Sequence, residues 1–163
     1  KVQEAVEKWT EVKKTNPEIQ LHMIGKLQTN KVKFAVKLFD YIHSVDSEKL
    51  AKKIADEQNK INKNIKIFLQ VNIGDENQKS GINKNELKHL VTYCKEINLD
   101  LIGLMCIPPA NTNPDIYFDE MKNLNKTLGF EELSMGMSSD FLIAAKNEST
   151  FIRVGSSIFG QRV

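Results

Sequence analysis

Apolar residues in this chain switch repeatedly between two periods. Over residues 2–14, Val2, Ala5, Val6, Trp9 and Val12 recur at helical spacing. Asn16-Pro17 ends the run, because a residue before proline is pushed out of the helical region. A short apolar stretch at 19–24, with His22 inside it and Gly25 after it, predicts a strand. Helical spacing returns over 30–39 through Val32, Ala35, Val36 and Phe39. Residues 41–45 are strand-like, and Asp46 or Ser47 is placed to cap a helix whose buried stripe is Leu50, Ala51, Ile54 and Ala55. The clearest strand is 65–73, IKIFLQVNI, followed by a turn at Gly74-Asp75-Glu76-Asn77 and a helix over 83–97 through Leu87, Leu90, Val91 and Cys94. A strand at 99–107 closes on Pro108-Pro109, and a helix over 115–128 ends at Gly129 in a C-cap role. A strand at 133–137, a helical run to residue 146 and a strand at 151–154 complete the pass.

Helices and strands thus alternate at the spacing of βαβ units, which predicts a parallel sheet with right-handed crossovers. An open doubly wound sheet and a barrel both fit that order. No GxGxxG or Walker pattern occurs, which weakens the nucleotide-binding open sheets.

The candidate chemistry gathers at the tail. Residues 133–137 break into Gly136-Met137-Ser138-Ser139-Asp140, and residues 151–154 break into Gly155-Ser156-Ser157. Turns of small residues at strand ends expose backbone N–H groups, and a helix start adds to their pull on an anion. Two such turns on consecutive strands of a parallel barrel form the usual phosphate cup of that fold. Arg153 lies between them on the second strand. Ser138 reads either as a phosphate donor or as the N-cap of the helix that follows, and the two roles are compatible. Gly155 reads as part of the cup or as a point of close packing, and Ser156 as part of the cup.

Composition narrows the field. The chain of 163 residues suits one domain, and a net charge of +2 offers no global field for nucleic acid or a membrane. Lysines alternate with Glu and Asp along helical faces, as on a solvated surface. No apolar run reaches membrane-spanning length. Cys94 and Cys106 lack both a disulfide framework and metal-type spacing, so no metal and a reducing, cytoplasmic setting are expected.

Several stretches carry a resemblance. His22-Met23-Ile24-Gly25-Lys26-Leu27-Gln28-Thr29-Asn30-Lys31 resembles an HFIG-x-LQ-x-NK signature, and Ile42-His43-Ser44-Val45-Asp46-Ser47 an IHSVDS strand. Gln70-Val71-Asn72 with Lys79-Ser80-Gly81 resembles QVN followed by KSG. Gly103-Leu104-Met105-Cys106-Ile107-Pro108, Ser134-Met135-Gly136-Met137-Ser138 and Arg153-Val154-Gly155-Ser156-Ser157-Ile158-Phe159-Gly160 resemble GLMAIP, SMGMS and RIGTAIFG. In this order, the segments resemble the pyridoxal phosphate homeostasis proteins, the YggS/PROSC group.

The resemblance implies a single α/β domain over residues 1–163, a TIM-type (β/α)8 barrel of the alanine racemase N-terminal class that binds pyridoxal 5′-phosphate (PLP). It implies a carrier and buffer of vitamin B6 without established catalysis, with PLP-dependent apoenzymes as partners. The family's Schiff-base lysine belongs to an AVSK-type first strand, and an FGEN segment precedes the VQEA helix. This chain opens at that helix, so it is expected to be a fragment with six strands, two unpaired sheet edges and no such lysine. Self-association and reduced stability follow from those edges. By the same resemblance Ser138, Gly155 and Ser156 hold the phosphate, with Met137 beside them. Arg153 faces the pyridine nitrogen, keeping it unprotonated and the ring a weak electron sink. Asn72 is expected near the ring, and His22 and His43 are each either a ligand contact or a hydrogen-bonded core histidine. Lys26 and Lys79 follow strands near the barrel mouth. Two other functions share the barrel: an amino-acid racemase, which adds a second domain, and a binder of another phosphorylated metabolite.

Overall fold

The computed structural model describes residues 2–76 and 80–160. The helices are α1 (Val2–Thr15), α2 (Val32–Leu38), α3 (Glu48–Lys60), α4 (Lys84–Glu96), α5 (Pro114–Thr127), α6 (Phe141–Lys146) and α7 (Ser156–Phe159). Between them run β1 (His22–Met23), β2 (Tyr41–Val45), β3 (Lys66–Val71), β4 (Asp100–Cys106), β5 (Glu132–Met137) and β6 (Phe151–Arg153). Among the described residues these six strands are all parallel and lie in the order β1-β2-β3-β4-β5-β6. A strictly sequential order has no point where the winding reverses, which removes the doubly wound alternative and leaves the winding of a barrel. Rings inside the sheet show that it rolls up. The Phe151 ring on β6 lies 5.3 Å from Phe68 on β3 and 5.7 Å from Tyr41 on β2, although neither strand adjoins β6.

Parallel strands covered on both faces carry near-continuous apolar runs, and every residue of β2 is buried. One face, with Ile42, Ile67, Leu69, Leu104, Leu133 and Met135, packs against the helices. Their stripes match the sequence spacing: Leu50, Ala51, Ile54 and Ala55 on α3, and Leu87, Leu90, Val91 and Cys94 on α4. Burying a side chain such as Leu50 or Ile54 contributes roughly 1.5–3 kcal/mol. The other face encloses a smaller core of Tyr41, Phe68 and Met105, joined by Phe151.

Local chemistry sets the boundaries. Ser47, not Asp46, caps α3, accepting the Leu50 amide at 3.4 Å, while the Asp46 carboxylate accepts the Gly81 amide. The strand expected at 19–24 pairs only at His22 and Met23. Just before it, the Leu21 amide donates to the Asp40 carboxylate at 2.8 Å and the Leu21 carbonyl accepts the Asp40 amide at 2.8 Å. Lys13 reaches from α1 to the same carboxylate and to the Leu38 carbonyl, which ties the first helix to the sheet. The apolar stripe of α1 is only partly covered: Val2 is buried, whereas Trp9 is 41% exposed. The four-residue α7 was not expected from the sequence, where 155–157 reads as a turn.

Candidate functional site

The site begins at a bulge. Between Ser134↔Phe151 and Met137↔Arg153, β5 carries one residue more than β6, which bends the strand. Gly136 sits there with φ of +93°, and a Cβ would stand 2.6 Å from the Ala144 methyl on α6. Only glycine satisfies both the backbone and the close approach of that helix. The turn beyond is drawn in by Asp140, whose carboxylate accepts the Met137 amide at 2.6 Å.

Ser138 does not cap α6. Its hydroxyl oxygen accepts the Gly155 amide at 3.0 Å and the Ser157 amide at 3.4 Å, so it bridges the two small-residue turns. Among the described residues the amides of Ser138, Ser139 and Ser156 make no hydrogen bond. A Cβ at Gly155 would meet nothing within 4 Å, and its φ of −127° lies outside the left-handed region. Packing therefore does not demand glycine at 155, and the missing side chain leaves open space over the turn.

A cavity of about 940 Å³ adjoins both turns, at the C-terminal ends of β5 and β6. Met137, Ser138, Arg153, Gly155, Ser156 and His22 all line it, with Ser139, Lys26, Ile107 and Trp9. Among the described residues no carboxylate lines it, while Arg153 and Lys26 do, so it favours an anion. Asn72 is not brought there. Its side-chain amide donates to the Glu76 carbonyl at 2.9 Å and accepts the Glu76 amide at 3.2 Å, closing the turn after β3. Lys79 lies outside the described residues. His89 sits on the surface of α4 against Glu48.

Arg153 forms no salt bridge among the described residues. Its Nη1 donates to Ser134 Oγ at 2.8 Å and its Nη2 to the Cys106 carbonyl at 3.0 Å. Burial lowers its pKa from the ordinary value, with the Asp140 carboxylate acting the other way, but a guanidinium stays charged. Ser134 also meets His43 Nδ1 at 2.9 Å, and His43 Nε2 meets His22 Nδ1 at 3.0 Å. The His22 ring stacks on Tyr41 at 4.1 Å, and the His43 ring on Phe68 at 4.3 Å. Burial first, then the His22 and Arg153 charges, push the His43 pKa down to about 3. Burial also lowers that of His22, opposed by Asp40.

Sequence reasoning left Ser134 without a role, while His43 is a hydrogen-bonded core histidine, one of the two readings expected for it. The available signal was a serine in the middle of an apolar strand, two residues before the bulge, and a histidine among the buried positions of β2.

A sequential parallel sheet with the winding of a barrel, and a cavity at its C-terminal rim lined by cations and, among the described residues, by no carboxylate, defines a class of ligand-binding barrels. The family described as "Alanine racemase, N-terminal domain" matches residues 1–163. An alanine racemase of Clostridium difficile shares the fold, with a TM-score of 0.67 at 14% identity over 93% of this chain and 42% of that one. A protein of Aquifex aeolicus named "Pyridoxal phosphate homeostasis protein" is 37% identical over 172 residues, spanning 99% of this chain and 75% of that protein. PipY of Synechococcus elongatus, solved with PLP bound, gives a TM-score of 0.90 at 33% identity, over 98% of this chain and 79% of that one. The chain belongs to the pyridoxal phosphate homeostasis protein family. Among the described residues, no helix is long and apolar enough to cross a membrane.

Proposed function

We propose that this chain supplies the phosphate and ring-nitrogen side of a PLP site, and serves vitamin B6 homeostasis as a carrier without a chemical step of its own. The observation that carries the reading is the meeting of the 138–139 and 155–156 turns with Arg153 at a cavity that no carboxylate lines among the described residues. The amides of Ser138, Ser139 and Ser156, with the hydroxyls beside them, suit a phosphate, and open space at Gly155 lets it approach. Met137 packs beside the phosphate turns. Arg153 stands on neutral partners, so its charge is free to face an unprotonated ring nitrogen. His22 lies at the ring side of the same cavity. PLP, when bound, supplies an aldehyde and an electron-withdrawing ring; the residues here hold and orient it. PLP-dependent apoenzymes are the proposed recipients. The buried thiols of Cys94 and Cys106, each pushed by burial to a pKa of about 12, fit a reducing cytoplasm.

Spectrophotometric titration with PLP, pyridoxal and a simple sugar phosphate, with and without borohydride, tests the reading. PLP is expected to bind reversibly and more tightly than pyridoxal, without a borohydride-fixed adduct. Equal binding of pyridoxal removes the phosphate cup from the site. Equal binding of the sugar phosphate turns the chain into a general phosphometabolite binder. Alanine racemisation above the free-PLP background replaces the carrier with an enzyme.

A further inference from the structure

Arg153, Ser134, His43 and His22 form one continuous set of contacts across the barrel interior, from β6 through β5 and β2 to β1. Both ends of the set, Arg153 and His22, line the main cavity, whereas Ser134 and His43 are buried. The donor and acceptor inventory of these groups fixes the direction of every bond. A guanidinium only donates, so Ser134 Oγ accepts from Nη1. The Ser134 side chain is fully buried, and among the described residues its hydroxyl proton has one side-chain acceptor in reach, His43 Nδ1. The opposite arrangement, with His43 donating, would make Ser134 accept twice and leave its proton buried without a partner, which costs the desolvation of that group. His43 Nδ1 is therefore bare and its proton sits on Nε2. From there it donates to His22 Nδ1, which leaves the proton of His22 on Nε2, a nitrogen with no partner among the described residues.

We propose that Ser134 and His43 are positioning residues, Ser134 orienting the Arg153 guanidinium and His43 fixing His22 as a hydrogen-bond donor, so that Arg153 and His22 together select a ligand ring presenting acceptors. The selection rests on the PLP reading of the cavity; the direction of the chain does not. Such a pair favours an unprotonated ring nitrogen and an ionised ring oxygen, and disfavours a ring that must donate. The groups facing His43 are His22, Tyr41, Phe68, Ser134, Phe151 and Arg153, none of them a carboxylate that would stabilise an imidazolium.

The deciding measurement is the nitrogen-15 spectrum of both imidazoles in the ligand-free chain at neutral pH. The proton is expected on Nε2 in both rings. A proton on His43 Nδ1 overturns the proposal. The second arm compares Ser134→Ala with the parent for PLP and for inorganic phosphate. A roughly tenfold weaker grip on PLP with unchanged affinity for phosphate is the expected result, since the turns that hold phosphate are untouched. Unchanged PLP affinity overturns the positioning role. His43→Asn supports it by retaining an acceptor for Ser134 and PLP affinity within about threefold of the parent, and counts against it by losing as much as Ser134→Ala. Should the parent bind neither PLP nor phosphate, the functional reading fails on its own, and the spectrum still decides the direction of the chain.

Discussion

Replacing Gly155 by alanine separates ligand recognition from folding. The added methyl enters space where nothing lies within 4 Å, and a φ of −127° asks for no left-handed backbone. The folding free energy should therefore fall by no more than about 0.5 kcal/mol. Any gain comes from the unfolded chain, where losing glycine's freedom is worth about 0.4–1 kcal/mol. Binding should respond differently. The methyl stands over the amides that receive the phosphate and holds its oxygens away from at least one of them. A hydrogen bond to a charged group is worth about 1.5–3 kcal/mol, so PLP affinity should fall about tenfold to a hundredfold. Pyridoxal has no phosphate to displace and should bind as before. The assay is paired: urea unfolding for stability, and absorbance titration with PLP and pyridoxal for affinity. Unchanged PLP affinity refutes the phosphate cup at Gly155. An equal loss for both vitamers shows that the methyl disturbs the ring instead.

Further outcomes follow from groups elsewhere in the structure. His43 has a folded pKa near 3, below the unfolded value of about 6.5, so the folded state binds fewer protons between these values. Stability should be full above the unfolded value and fall as pH drops through this window, and His43→Phe should flatten the urea-midpoint profile there. Asp40 is held below the usual carboxylate range: burial raises its pKa, but the Lys13 hydrogen bond, the Leu21 amide and the Lys13 and Lys63 charges outweigh it. Its contribution is present above a pH of about 3.9 and lost as pH falls; Asp40→Asn should cost about 1–2 kcal/mol at neutral pH in urea unfolding. Gly103→Ala should abolish folding or lower the melting temperature sharply, because its Cβ would stand 1.8 Å from the Glu132 carbonyl oxygen where β4 meets β5. A melting temperature within a few degrees of the parent would mean that β4 and β5 do not approach as described.

Elements with strong period and local punctuation were legible in advance. The α3 stripe, the α4 stripe and the strand centred on Phe68 follow directly from spacing. The tail turns were legible too, since small residues after two apolar runs mark strand ends opening onto a rim. Contacts formed between distant segments were not. Ser134 lies 91 residues from His43 in sequence, and no local pattern announces their bond. The short β1 depended on Asp40, a loop residue that engages the backbone of Leu21. Asn72 belongs to the same kind of miss: its position at a strand end said nothing about which way an amide would turn, and a nearby backbone at Glu76 took it.

The bridge from Ser138 to the Gly155 and Ser157 amides has a consequence for how a guest departs. The hydroxyl joins the two turns directly, so on the proposed reading the two rims keep their spacing whether or not a guest is seated. A phosphate would meet the amides of Ser138, Ser139 and Ser156, unpaired among the described residues, on rims already set in place, and its departure would leave the Ser138 bridge intact. Such a cradle would not collapse when vacated, so it would stand ready for the next guest without refolding its rims.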